Sequence, residues 1–251
     1  MKAILILVVF MSALFTQAAN IEKIIGDNEL LLVAPDASNI PLRFQKLVNA
    51  FGKIGMGCTA THIGHGYVLT AGHCFWAAPE LQKDLDCADI AIDWGVREGA
   101  TPYLTSKCEK MIAQQTSDFN DFAIMKVSPI PPVAIAPDMT RRAAIGDTLT
   151  VFSHPNELPL HWSHLCGVER VNHPELNANT IQHKCDTNPG SSGATLINVV
   201  SLKVVGIHDG GINGFQTIKD PELLPMNTGM NYGTFIFNSP LYDALLELGF
   251  N

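Results

Sequence analysis

The chain has 251 residues, a formal net charge of −8, 47% hydrophobic residues and 16% charged ones. That length accommodates one large all-β domain or two small ones, and so apolar a composition excludes a disordered chain. The acidic balance disfavours nucleic acid as a partner, because a phosphate backbone is met by basic surface, and it suits an exported protein.

Residues 1–19 read as a signal peptide. Lys2 supplies the positive end, residues 3–15 form an apolar run short for a bilayer, and Thr16-Gln17-Ala18 supplies small residues at the cleavage positions. Nothing later in the sequence is apolar for long enough to suggest a membrane span, so no membrane partner is expected. The six cysteines of an exported chain suggest three disulfides, for which sequence alone allows 15 pairings. Local spacing favours Cys58–Cys74, Cys87–Cys108 and Cys166–Cys185. No C-x-x-C pair is present, and His154, His161, His164, His173 and His183 match no metal-ligand spacing, so they are assigned to the surface or the rim of a cleft and no metal is expected.

In chain order, residues 29–33 read as a short strand and 44–54 as a strand with a turn at Gly52. Residues 58–63 and 66–71 form a hairpin ending at His73, with Gly64-His65-Gly66 as its turn. Residues 88–95 alternate apolar and polar side chains, a short strand begins at Met111, and 122–127 is an apolar run. The proline-rich stretch 128–137 is expected to link two halves. Further strands are expected at 149–153, 166–171, 180–183, 194–199, 203–208 and 234–237, with a long surface loop over 209–233. Ser239 as N-cap and Pro240 at the first helical position start a terminal helix, with Leu241, Ala244, Leu245 and Leu248 on one face. Many short strands followed by one helix indicate an all-β barrel or sandwich.

The chemistry is concentrated in Asp186-Thr187-Asn188-Pro189-Gly190-Ser191-Ser192-Gly193. Glycines on either side of a serine permit a tight turn, and such a turn can aim the N–H groups of Gly190 and Ser192 at one point beside the Ser192 hydroxyl. Upstream lie Leu69-Thr70-Ala71-Gly72-His73-Cys74 and Asn120-Asp121-Phe122-Ala123-Ile124-Met125. A His, an Asp and a Ser in that order are the parts of a catalytic triad. Asp118 and Ser191 are neighbouring alternatives for the acid and the nucleophile. The Asp-Phe-Ala-Ile pattern favours Asp121, and the Gly-x-Ser-Gly spacing favours Ser192.

With these motifs the sequence resembles the chymotrypsin-fold serine proteases, and within them the glutamyl endopeptidase branch. Coverage runs from Ile24-Ile25-Gly26 to the terminal helix and takes in Val205-Gly206-Ile207-His208-Asp209-Gly210-Gly211. The resemblance implies an all-β fold of two packed six-stranded antiparallel barrels, about 24–128 and 138–250, with the site in the cleft and a C-terminal helix. It implies a secreted or periplasmic endopeptidase acting as a monomer on protein or peptide substrates, without cofactor. His73, Asp121 and Ser192 would be catalytic, and Gly190 and Ser192 would form the oxyanion hole. Thr187, His208, Asp186 and Gly210 would fall at the substrate pocket. Asp186 lies where trypsin-like enzymes select Lys or Arg. Thr187 and His208 lie where glutamyl endopeptidases hold a substrate carboxylate, to which a protonated His would add charge. Both readings cannot hold with all three side chains facing the pocket, so Asp186 is expected to turn away into backbone hydrogen bonds. Two features depart from the family pattern. Ser191 replaces the Asp that serves an activation switch in animal relatives, and Ala194-Thr195 follows the turn. The competing readings are a protease-like binding protein without activity, a protease with basic P1 preference, and a disulfide-stapled structural or carbohydrate-binding β protein.

Overall fold

The computed structural model describes residues 24–76, 78–117, 120–171, 179–211 and 230–251. The first half contributes β1 (Leu31–Leu32), helix α1 (Leu42–Gln45), β2 (Phe51–Ile54), β3 (Cys58–Gly64), β4 (Tyr67–Thr70), β5 (Gln82–Leu85), β6 (Ala91–Trp94), β7 (Leu104–Ser117) and β8 (Asn120–Ser128). The second contributes β9 (Thr148–Ser153), β10 (His161–Val171), β11 (Thr180–His183), β12 (Thr195–Asn198), β13 (Val204–Gly211), β14 (Asn231–Phe235) and helix α2 (Pro240–Glu247).

Two closed six-stranded antiparallel barrels result. In the first, the order β7-β6-β2-β3-β4-β8 closes through the β7–β8 pairing, with β5 added on β7. In the second, β10-β11-β14-β13-β12-β9 closes through β10–β9, with β1 added on β10. Closure leaves no barrel strand unpaired within these sheets. The chain ends cross over. β1, from the N-terminal segment, pairs with the second barrel (Leu31 opposite Trp162). The C-terminal segment returns to the first, where Phe250 packs on Tyr67.

The apolar run in β8 has a specific cause. Phe122 and Ile124 enter the core between the barrels, whereas Ala123, Met125 and Val127 enter the core inside the first barrel. Alternate side chains point to opposite faces, so a strand buried on both faces reads as continuously hydrophobic. β4 does the same with Leu69 and Val68. The core between the barrels includes Phe44, Phe51, Phe152 and Trp162, and the second barrel has its own around Leu149, Ile181, Leu196 and Phe235. Each large side chain so buried contributes about 1.5–3 kcal/mol.

The expected strand over 44–54 is corrected. Its first part forms α1 and a 3-10 turn, Val48–Ala50, and only Phe51–Ile54 is strand. The buried residues Phe44, Leu47 and Val48 are spaced three and four apart, which is helical periodicity. Gly52 makes no turn. It lies in β2, where a Cβ would sit 2.5 Å from Ile92 Cγ2 and 2.8 Å from the Trp94 ring, so its lack of a side chain lets β6 pack there. The expected strand starting at Met111 is the middle of a 14-residue strand. In the expected loop 209–233, residues 209–211 belong to β13 and 231–233 to β14, and 212–229 lie outside the described residues. The terminal helix has its cap where expected, with the Tyr242 N–H donating to Ser239 Oγ at 3.2 Å. The expected signal peptide, Asp118 and His173 lie outside the described residues.

All three expected disulfides form: Cys58–Cys74, Cys87–Cys108 and Cys166–Cys185, with Cα separations of 6.3, 5.5 and 4.9 Å. Such bridges fit an oxidising compartment. No helix among the described residues is long and apolar enough to cross a membrane.

Candidate active site

His73 sits in a one-turn 3-10 helix, Gly72–Cys74, just after β4. Gly72 lets that turn lie on β7, since a Cβ there would meet Gln115 O at 2.1 Å. Gln114, fully buried, donates to Gly72 O at 3.0 Å and Trp76 O at 2.9 Å, and the Cys58–Cys74 bridge fixes the turn to β3. Cys58, Cys74 and His73 cluster as metal ligands would, but the two sulfurs are bonded to each other and offer no thiolate.

Asp121, on β8, is the group His73 meets. The His73 backbone N–H donates to Asp121 Oδ1 at 2.8 Å, and Nδ1–H donates to Oδ2. With its Nδ1 proton committed, the ring leaves Nε2 as an acceptor. Ser192 Oγ, from the other barrel, lies 2.9 Å from Nε2. A hydroxyl, a base and an orienting carboxylate are thus in line across the cleft, the arrangement nucleophilic catalysis needs. Asp121 and Ser192 are buried, and the His73 side chain is 24% exposed.

The turn before Ser192 is locked on both flanks. Ser191 N–H donates to Asn188 O at 2.9 Å, and Gly193 N–H to His208 O at 2.8 Å. Thr59 joins the barrels here. Its N–H donates to Ser192 O at 2.9 Å and its hydroxyl to Gly190 O at 2.9 Å. Gly190 has φ +100° and Gly193 φ +84°, and a Cβ on Gly193 would come within 2.1 Å of Thr70 Oγ1. Only glycine permits both the backbone angle and the approach of β3 and β4. The Pro189 carbonyl accepts from Asn156 N–H, which turns the Pro189–Gly190 peptide so that its oxygen faces residue 156. The Gly190 N–H donates to no acceptor among the described residues. The Ser191 hydroxyl points elsewhere, 3.0 Å from Ser153 Oγ inside the second barrel, which separates it from His73.

The family model for the trypsin-like peptidase domain matches residues 58–207, a span that includes all three of these side chains. The chain belongs to the trypsin-like peptidase family. The peptidase is accordingly a hydrolase of the serine endopeptidase class. Among solved structures it is similar to a Glu endopeptidase in complex with MPD, at 16% identity and a TM-score of 0.59, over 90% of this chain and 98% of that one. Searching curated protein sequences gives no match.

Of the residues expected at the substrate pocket, Asp186 makes the backbone hydrogen bonds expected of it. Its buried carboxylate accepts the Ile25 N–H and the Glu29 N–H, each at 2.8 Å, and so ties the N-terminal segment to the turn. Thr187 is fully buried, and its hydroxyl has no hydrogen-bond partner among the described residues. His208 lies on β13, and its N–H donates to Ala194 O at 2.8 Å. Gly210, on the same strand, pairs with Tyr232.

His208 has a partner the sequence did not reveal. His183 Nε2 lies 3.1 Å from His208 Nδ1, and His183 Nδ1 accepts the Cys185 N–H at 3.2 Å. Because His183 Nδ1 is an acceptor, its proton is on Nε2 and is donated to His208 Nδ1. The His208 proton is therefore on Nε2. Burial holds His208 well below the usual histidine value, and positive charge on His183 or His73 would push it further down. Burial likewise holds His183 down at about 3 and His154 at about 4. Two expectations are corrected here. His208 is a neutral N–H donor instead of an imidazolium, and His154 and His183 are core residues instead of surface ones. Removing an imidazolium from water costs more than these neutral hydrogen bonds return.

Proposed function

We propose that the protein is an exported serine endopeptidase that uses Ser192, His73 and Asp121 and prefers an acidic residue at P1. The observation that carries the reading is the 2.9 Å contact of Ser192 Oγ with His73 Nε2, on a ring whose other nitrogen is committed to Asp121. Ser192 Oγ attacks the scissile carbonyl carbon as its proton passes to His73 Nε2. The carbonyl oxygen becomes an oxyanion and takes hydrogen bonds from the Gly190 and Ser192 N–H groups. His73 returns the proton to the leaving amine, and the C–N bond breaks to give an acyl-enzyme. Water, deprotonated by the same nitrogen, then releases the acid and restores Ser192. Asp121 keeps the ring in the working tautomer and stabilises the imidazolium. A Ser, a His and a carboxylate in this order also speak against an inactive binding protein. Export rests on the pattern of residues 1–19 and on the three disulfides, and substrates are proteins or peptides met by a monomer.

The acidic preference rests on Thr187 and His208, one hydroxyl and one Nε2–H able to donate to a carboxylate. The carboxylate that would select Lys or Arg, Asp186, is occupied by two backbone amides. His208 donates without charge, so selectivity comes from hydrogen bonding and not from ion pairing. Peptides varied only at P1 test this. The parent cleaves after Glu faster than after Gln or Lys, and His208→Val lowers the Glu rate by about 10- to 100-fold, the range for a hydrogen bond to a charged group. A Glu preference that survives His208→Val, or faster cleavage after Lys, contradicts the acidic assignment and leaves the triad untouched.

A further inference from the structure

β13 presents a second carboxylate behind the site. Next to His208 stands Asp209, 3% exposed. The strand register slips between His208 and Gly210, so the two side chains have different neighbours. His208 meets His183, whereas Asp209 Oδ2 accepts the Thr234 hydroxyl at 2.8 Å. That hydroxyl in turn accepts the Asp121 backbone N–H at 3.0 Å. The Asp121 backbone and the Asp209 carboxyl are therefore joined through one threonine side chain, and all three residues are buried.

We propose that Asp209 is a positioning residue, a neutral carboxylic acid that holds Asp121 in place through Thr234. The inference rests on the reading of His73, Asp121 and Ser192 as the catalytic set. The hydrogen bonds decide which carboxyl is charged. Asp121 accepts two from His73, while Asp209 accepts one from a hydroxyl, and its Oδ1 is buried with no partner among the described residues. No ion pair to Asp209 is found among the described residues. The titratable groups around it are Asp121 on β8, His73 beyond Asp121, His208 beside it on β13, His183 on β11 and Tyr232 on β14. Of these, Asp121 is the charge that acts on it, and that charge is negative. Burial first, and the charge of Asp121 second, raise the Asp209 carboxyl well above the ordinary aspartate value, and the Thr234 hydrogen bond offsets only part of this. Two like charges this close cannot both be ionised cheaply, and the one with fewer donors keeps the proton.

Thr234 is thereby fixed in direction. Its proton goes to Asp209, so its lone pair is free for the Asp121 N–H. Without an acceptor at position 209 the hydroxyl can rotate, and Asp121 loses a backbone anchor.

Two measurements test the proposal with the full chain. In the first, kcat/KM is followed against pH for the parent, Asp209→Val and Asp209→Asn. Val, which accepts nothing from Thr234, lowers kcat by about tenfold or more and changes KM little. Asn, neutral and able to accept from Thr234, recovers most of that loss, with its acid limb within about 0.3 pH unit of the parent's. A downward move of that limb by about one unit or more in the Asn variant overturns the proposal, because it shows that a negative charge has been removed from beside His73. Equal loss in Asn and Val also overturns it. The second measurement is denaturant unfolding of Ser192→Ala with and without Asp209→Asn, a background free of self-digestion. A carboxyl with a raised folded-state value stays protonated in the native state while the unfolded state ionises above about pH 4. Stability is therefore full below that pH and falls as pH rises towards the folded value. The unfolding constant of the Asp209 protein rises by up to tenfold per pH unit relative to the Asn variant over that window. A ratio constant from pH 4 to 8 contradicts the neutral state. If instead the parent shows no hydrolysis dependent on Ser192, the catalytic reading fails, and the unfolding experiment still reports whether Asp209 holds a proton.

Discussion

Ser192→Ala lowers kcat by about 10⁴-fold or more and leaves the fold intact. The hydroxyl is the one group on the turn placed 2.9 Å from His73 Nε2, and the adjacent Ser191 hydroxyl is engaged with Ser153. No other serine is therefore poised to replace it. The bonds that shape the turn include Thr59 N–H to Ser192 O, Gly193 N–H to His208 O and the Thr59 hydroxyl to Gly190 O, and removing the Ser192 Oγ touches none of these. Loss of one buried hydroxyl leaves a small void, worth about 1 kcal/mol of stability. Single-turnover hydrolysis of a Glu-containing peptide, with circular dichroism of the same sample, measures both quantities. A variant that cleaves at the parent's rate removes Ser192 from the mechanism.

Asp121→Asn is expected to cost about as much, on the order of 10⁴-fold in kcat, through a different route. In the parent, Oδ1 accepts the His73 N–H and Oδ2 accepts Nδ1–H. An asparagine in the same place keeps one oxygen for the backbone N–H and turns its NH₂ towards Nδ1. The ring must then accept at Nδ1 and carry its proton on Nε2, which faces Ser192. A protonated Nε2 cannot take the serine proton. Steady-state kinetics across pH 6 to 10 check this, with KM close to the parent's because substrate contacts are unchanged. A loss under tenfold shows that Asp121 does not set the tautomer.

Much of the architecture was legible because strands buried on both faces leave a plain trace. Residues 122–125 read as continuously apolar since Phe122 and Ile124 serve one core and Ala123 and Met125 another. The terminal helix was legible from Ser239 and Pro240, whose capping chemistry is local. Residues 44–50 were misread because four apolar residues within a few positions suit a short strand as well as a helical turn, and tertiary contacts to Phe152 and Trp162 settle the matter. In the site, His73, Asp121 and Ser192 stood out through their local motifs. The residues that hold them did not. Thr59, Gln114, His183 and Thr234 carry no motif, and each acts across a large sequence separation, 131 residues for Thr59 with Gly190 and 113 for Asp121 with Thr234. The charge state of His208 was not legible, because its neutrality comes from complete burial beside His183.

The central claim is that Ser192 is an activated nucleophile, and covalent labelling tests it most directly. A fluorophosphonate probe reacts with a serine only where a base removes its proton and donors stabilise the phosphoryl oxygen. The protein is incubated with the probe, digested and mapped by mass spectrometry beside Ser192→Ala and His73→Ala. The account predicts one adduct, on Ser192, absent from the first variant and nearly absent from the second. No adduct on the folded parent, or an adduct on Ser191 instead, would contradict it.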